Sequence, residues 1–113
     1  MNIIYKIFRL PEYAEFLENR QTRGAPIDVA DGFIHFSTAD QVEETAAKHF
    51  AGESPLRLVG CDADEMGDAL KWEESRGGQL FPHLYRELTE ADVRFVHDLF
   101  TEDGRHQFEG LLL

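Results

Sequence analysis

Short apolar runs separated by polar, glycine-bearing stretches divide this chain, and the period of the apolar positions predicts its elements. Ile3-Ile4-Tyr5-Lys6-Ile7-Phe8 is short and rich in β-branched and aromatic residues, which predicts a buried strand. A helix follows, with Pro11 in its first turn, where a missing N–H is tolerated. Leu10, Tyr13, Ala14 and Leu17 recur at i, i+3, i+4 and i+7 and predict one apolar stripe along it. Residues 21–31, with Gly24, Pro26 and Asp28, read as a loop or short hairpin. Phe33 to Ser37 predicts a short strand. Thr38-Ala39-Asp40-Gln41 then matches a capping box opening a second helix, with Val42, Ala46 and Phe50 inward and Gly52 at its end.

Leu56 to Cys61 is almost wholly apolar, the pattern of a central strand, and Asp62 to Gly67 forms an acidic turn. Leu70-Lys71-Trp72-Glu73 alternates as a strand does, and Arg76-Gly77-Gly78 turns it. Leu80 to Tyr85 is extended, with Pro82 assigning it to an edge or a bulge. Thr89 to Asp92 is a turn or helical start, and Val93 to Leu99 a last strand. The tail from Gly104 carries Phe108 and Leu111-Leu112-Leu113, which either pack back or mediate association. The sum is a single α+β domain over residues 1–113, with two helices in its N-terminal half. Its mixed or antiparallel sheet has five or six strands, and its core lies within residues 3–100.

Composition narrows the class. At 113 residues a compact chain has an expected radius of gyration of about 13 Å. An apolar content of 42% with nine Phe is that of a folded chain and not a disordered one. No apolar run is long enough to span a bilayer, and the N-terminus lacks a signal-peptide layout. Cys61 is alone, so no internal disulfide forms, and it reads as a small hydrophobe. A cytoplasmic protein without a membrane anchor is the expectation. The net charge of −11 repels nucleic-acid backbones but leaves room for a local basic pocket, with Arg9, Arg20, Arg23, Arg76 and Arg86 as candidates to hold a small anion.

Chemistry concentrates in two segments. Strand alternation puts Ile34 and Phe36 on one face, and Phe33, His35 and Ser37 on the other, less apolar one. His35 thus stands where a strand runs into a helix start at Ser37 and Thr38, a seat for a phosphate or carboxylate, or else it simply bonds a neighbouring carbonyl. The same alternation pairs His83 with Tyr85, as ligand contacts or as structural groups. Glu73, if Trp72 points inward, faces the other way and could serve a histidine as partner in general acid–base chemistry, or be one member of an exposed charge run. His35, His83 and a carboxylate would make a three-ligand metal set, but none of the tight spacings of zinc sites occurs, so no metal is expected. His49 ends a helix, where a cation is favourable, and His97 and His106 lie in solvent-facing contexts.

Tyr5-Lys6-Ile7, Asp31-Gly32-Phe33-Ile34-His35-Phe36-Ser37-Thr38 with Gln41-Val42, His49-Phe50, Leu70-Lys71-Trp72-Glu73, Gly77-Gly78 and Phe81-Pro82-His83-Leu84-Tyr85 together resemble the small bacterial family catalogued as domain of unknown function 952. The resemblance runs over about residues 3–100. Arg86 departs from it, standing where the family usually has glycine. That family is in turn similar to the ADP-ribosyltransferase superfamily and its NAD-using RNA 2′-phosphotransferases, through a histidine strand like Ile34-His35-Phe36-Ser37. The resemblance implies an ADP-ribosyltransferase-like fold and NAD or a related nucleotide as ligand. His35 would then lie at its ribose or phosphate, His83 and Tyr85 at the nicotinamide, and Glu73 would be the catalytic carboxylate. The competing expectation is a non-enzymatic interaction module accessory to a larger enzyme. The separation of His35 and His83 distinguishes them: about 7–9 Å suits one small molecule contacted by both, and larger separations favour the module.

Overall fold

The computed structural model describes the backbone of all 113 residues and every side chain except that of Arg76. In chain order the elements are β1 (Ile3–Arg9), α1 (Leu10–Asn19), β2 (Gln21–Thr22), α2 (Pro26–Asp31), β3 (Ile34–His35), β4 (Ser37–Thr38) and α3 (Ala39–His49). There follow β5 (Leu56–Asp62), β6 (Leu70–Glu74), β7 (Leu80–Leu84), β8 (Leu88–Thr89), β9 (Val93–Leu99), β10 (Thr101–Glu102) and β11 (Arg105–His106). This is an α+β chain, with antiparallel sheets of order β4-β1-β5-β9 and β3-β7-β6 and two small ribbons, β2-β8 and β10-β11. Its radius of gyration is 13.1 Å.

β1 and β5 lie inside the larger sheet, as their continuous apolar runs require. The two faces of β1 feed two cores. Ile4 and Phe8 join Phe16, Ile34, Phe36, Val59 and Leu84, whereas Tyr5 and Ile7 join Val42, Ala46, Leu58, Leu99 and Phe108. Lys6 shares the face of Ile4 and Phe8 and is itself buried.

Several expectations change. The strands do not form one sheet of five or six, because the run 33–38 breaks at Phe36: β3 pairs with β7 and β4 with β1, so one segment stitches two sheets together. There are three helices and not two, the loop expected at 21–31 containing α2, which starts at Pro26. α1 buries Phe16 with Tyr13 beside it against Phe8, while Leu10 and Leu17 are exposed. The inner face is therefore rotated from the predicted stripe, the aromatic stack outweighing the two leucines. β7 is the central strand of its sheet despite Pro82. The Pro82 carbonyl accepts from Phe36 N at 3.0 Å on the β3 side, so the missing N–H also falls on that side, where β3 has already ended. α3 ends at His49, before Gly52. The C-terminal tail folds back: Phe108 is buried, Leu111 and Leu112 pack beside it, and Leu113 N donates to Tyr5 Oη at 2.8 Å.

Candidate functional site

β3 and β7 pair so that His35 lies directly opposite His83. Alternation puts Phe33, His35, His83 and Tyr85 on one face of this sheet, with Ile34 and Leu84 buried on the other. Phe33 stacks on His83 at 4.2 Å and touches His35 and Tyr85 at 4.7 and 5.1 Å between ring centres. The two imidazoles meet edge to face with centres 5.4 Å apart, closer than the expected span, because they are cross-strand neighbours on one wall and not two sides of a ligand.

Each imidazole is oriented by a carboxylate. His35 Nδ1 contacts Asp28 Oδ1 at 2.5 Å, and its Nε2 meets Asp31 Oδ2 at 3.0 Å. Asp28 also accepts from the backbone N–H groups of Ala25 and His35 and from Lys6 Nζ at 2.7 Å. Burial pushes the Asp28 carboxyl up, but the His35 bond and the Lys6 ammonium outweigh it and hold the group below the ordinary carboxylate range. Lys6 is 6% exposed and Asp28 1%, so each is the charge that makes the other tolerable. Gly24 makes the approach possible, since a Cβ there would lie 2.1 Å from Asp28 Oδ2, and its φ of +93° is one that glycine adopts freely.

The second pair is built on β6. Glu73 lies diagonally from His83 in the register, and its Oε1 accepts both His83 Nδ1 at 2.8 Å and Tyr85 Oη at 2.6 Å. The Tyr85 bond, then the His83 bond, hold Glu73 below its usual range, and Glu73 in turn pushes the Tyr85 phenol up. Trp72 is 40% exposed, not inward, so Glu73 reaches His83 through strand alternation alone.

Beside these pairs opens a cleft of about 620 Å³, walled by Lys6, Arg9, His35, Ser37, Thr45, His49, Ser75 and His83 together with Ile7, Phe36, Phe50 and Phe81. Ser37 is buried, its Oγ 3.0 Å from Thr45 Oγ1. Arg9 donates to Glu53 and lies over the Phe50 ring at 4.6 Å. Thr38 is not on this wall; its N–H is taken by Gln41 Oε1 at 3.0 Å, which caps α3. Glu73 stands behind His83, and Tyr85 borders a separate groove of about 340 Å³ with Arg23, Phe33 and Arg86. Arg76, expected as an anion contact, has a side chain outside the described ones. Arg86 sits in ordinary backbone, since Arg20 and Asp103 are the positive-φ non-glycine residues, and it pairs with Asp92 at 2.8 and 2.9 Å. Among the described residues no three His, Cys, Asp or Glu side chains converge as metal ligands, and no helix is long and apolar enough to cross a membrane.

Local sequence assigns no part to Lys6, Asp28 and Asp31. A lone lysine inside an apolar strand was the available signal, because a buried ammonium demands a carboxylate. Nothing in the spacing said which of the 22 acidic residues supplied it.

Fold and site together define a small α+β domain with two histidine–carboxylate pairs beside a cleft. The chain belongs to the family described as Protein of unknown function (DUF952), which it matches over residues 7–96. The crystal structure of protein CC0527 from Caulobacter crescentus is similar, at 44% identity over 95% of each chain with a TM-score of 0.91. The solution structure of CC0527 is 43% identical over 99% of this chain and 97% of that one, with a TM-score of 0.87. No curated protein matches the chain.

Proposed function

We propose that the cleft binds a small, nucleotide-like anion, with His35 and His83 as the groups that meet it. The carrying observation is a convergence of donors: Lys6, Arg9 and three of the five histidines line one cleft, with Asp28 the carboxylate among its described lining residues, while Glu53, Asp31 and Glu73 pair Arg9, His35 and His83 from outside that lining. Asp28 is itself neutralised by Lys6 and His35. The volume suits a small organic molecule, and the Phe36, Phe50 and Phe81 surfaces suit its apolar part. An interaction module would have its histidines far apart or both packed as core; the 5.4 Å separation, with the His35 side chain 35% exposed, supports the ligand reading instead.

In the finer form the ligand is NAD or ADP-ribose and the chemistry ADP-ribosyl transfer. Glu73 then acts through His83, which it orients, since it is not on the cleft wall. Thermal-shift titration with NAD, ADP-ribose and pyrophosphate tests the proposal. A site-bound ligand at a hundred times its Kd stabilises the fold by about 2.7 kcal/mol, and the response is lost in His35→Ala. No stabilisation at millimolar concentrations of all three overturns it. A response to pyrophosphate alone retains the anion site and removes the nucleotide.

A further inference from the structure

Where the two sheets part, one stretch of strand edge stays unpaired, and it lies on the cleft. Ile4 of β1 pairs with Thr38 and Tyr5 with Ser37, but the next rungs, Lys6 with Phe36 and Ile7 with His35, are missing. Phe36 N donates instead to the Pro82 carbonyl at 3.0 Å, and His35 N to Asp28 Oδ1 at 3.1 Å. Two bonds fix which way Ile7 faces. Ala63 N donates to the Asn2 carbonyl at 2.8 Å, prolonging the β1–β5 ladder, so Ile4, Lys6 and Phe8 turn their N–H and C=O groups to β5. Arg9 N, of the opposite parity, leaves the ladder for Glu12 Oε1 at 2.9 Å. Ile7 shares that parity, so its N–H and C=O point away from β5, toward the gap that β4 does not reach. Neither group has a partner among the described residues, although Ile7 is 4% exposed and lines the cleft. A buried backbone donor and acceptor left unpaired are costly, and side by side they call for one ligand group that bonds both.

We propose that Ile7 is the base-reading position of the cleft, its N–H and C=O pairing with the donor–acceptor edge of a nucleobase. This rests on the nucleotide-like reading above and names the part of the ligand that meets β1. Other classes fit the edge less well. A phosphate or carboxylate only accepts, so it would satisfy the N–H and stand against the carbonyl. An extended peptide adds to a sheet through a run of free edge. Here the run is one residue long, since Tyr5 is paired with Ser37 and Arg9 N with Glu12. A planar ring with a donor and an acceptor on neighbouring atoms answers both groups of one residue, as a facing strand residue does. Nucleobases carry such an edge on their Watson–Crick side, adenine with its ring N1 and exocyclic amine, uracil with its imide N–H and carbonyl. The cleft walls also include Phe36, Phe50 and Phe81, apolar surface of the kind a flat ring packs on. Backbone groups do not titrate, so the pairing keeps its polarity whatever the protonation of the histidines.

The test uses the full chain with adenosine and uridine as uncharged probes. Each is set against a partner lacking the edge donor, N6,N6-dimethyladenosine and 3-methyluridine. Thermal shift and amide hydrogen exchange are the readouts. Expected is that at least one nucleoside, at millimolar concentration, stabilises the fold and slows exchange at the Ile7 amide by about tenfold. That slowing exceeds any change at Lys6 and Phe8, whose N–H groups are already in the ladder. The methylated partner of the responding nucleoside binds about tenfold more weakly, the worth of one lost hydrogen bond. No response to either nucleoside overturns the proposal. So does binding that slows Ile7 no more than its neighbours, or equal binding of the methylated partner. A parallel pyrophosphate series separates the two readings. Stabilisation by pyrophosphate without a nucleoside response leaves the anion cleft standing and removes the base position, whereas no response to any probe removes both.

Discussion

Asp28 is the residue on which the candidate site is built. Four donors converge on its two oxygens, from Lys6, Ala25 and the backbone and ring of His35. Asp28→Asn leaves the Lys6 ammonium buried without its counter-charge, a loss of about 3–5 kcal/mol by denaturant unfolding. The pH dependence follows from the lowered carboxyl. Its charge stabilises the fold in full above the unfolded value of about 3.9, and this increment disappears as pH falls through the lower folded value. Wild-type stability therefore drops on acidification below about pH 4 by more than that of Asp28→Asn, and equal acid limbs would contradict the assignment. On the other side of the histidine pair, Glu73 raises the Tyr85 phenol. In Glu73→Gln the absorbance titration of the tyrosines should show one phenol moving down toward the ordinary range, and no movement would mean that the 2.6 Å bond is not kept in solution.

At the scale of elements, the helix α2 brings Asp28 and Asp31 to the histidine strand, and Gly24 lets it sit so close. Gly24→Ala forces a Cβ against the Asp28 carboxylate and strains a positive φ, at a cost of about 1–3 kcal/mol. The substitution should also weaken anion-induced stabilisation, which thermal shift with pyrophosphate measures. A melting temperature and pyrophosphate response both equal to wild type would show that α2 adjusts freely. The same element marks where sequence reading stopped. β1, β5, β6, β9 and the capping box of α3 were legible because their patterns report local burial. α2 spans six residues, too short for a 3.6-residue period to register, and is defined by what its aspartates contact. Pro82 misled for a related reason: whether a missing N–H matters depends on the neighbouring strand's length, a fact of pairing and not of local sequence. His35, His83, Glu73 and Tyr85 did come together, since strand alternation fixes which face each takes. Lys6 and Asp28, 22 positions apart, were linked only by the fold.

On the scale of the whole molecule, Lys6, Arg9, His35, His49 and His83 gather along one cleft of an acidic chain. Anion binding there should weaken as salt rises, because the partly open cleft is screened. The tail closes the second core away from the histidines, Phe108 being 5% exposed against Val42, Ala46 and Leu99. Phe108→Ala should cost about 3–5 kcal/mol and lower the melting temperature while pyrophosphate still stabilises the fold; loss of that response would couple the tail to the cleft. The central claim, that His35 and His83 are the ligand-facing groups of an anion cleft, is tested most directly by nitrogen-15 spectra of the five imidazoles during a pyrophosphate titration. The account predicts saturable shifts at His35 and His83, with His97 and His106 unmoved. Shifts of equal size at all five, or none at His35 and His83, would contradict it.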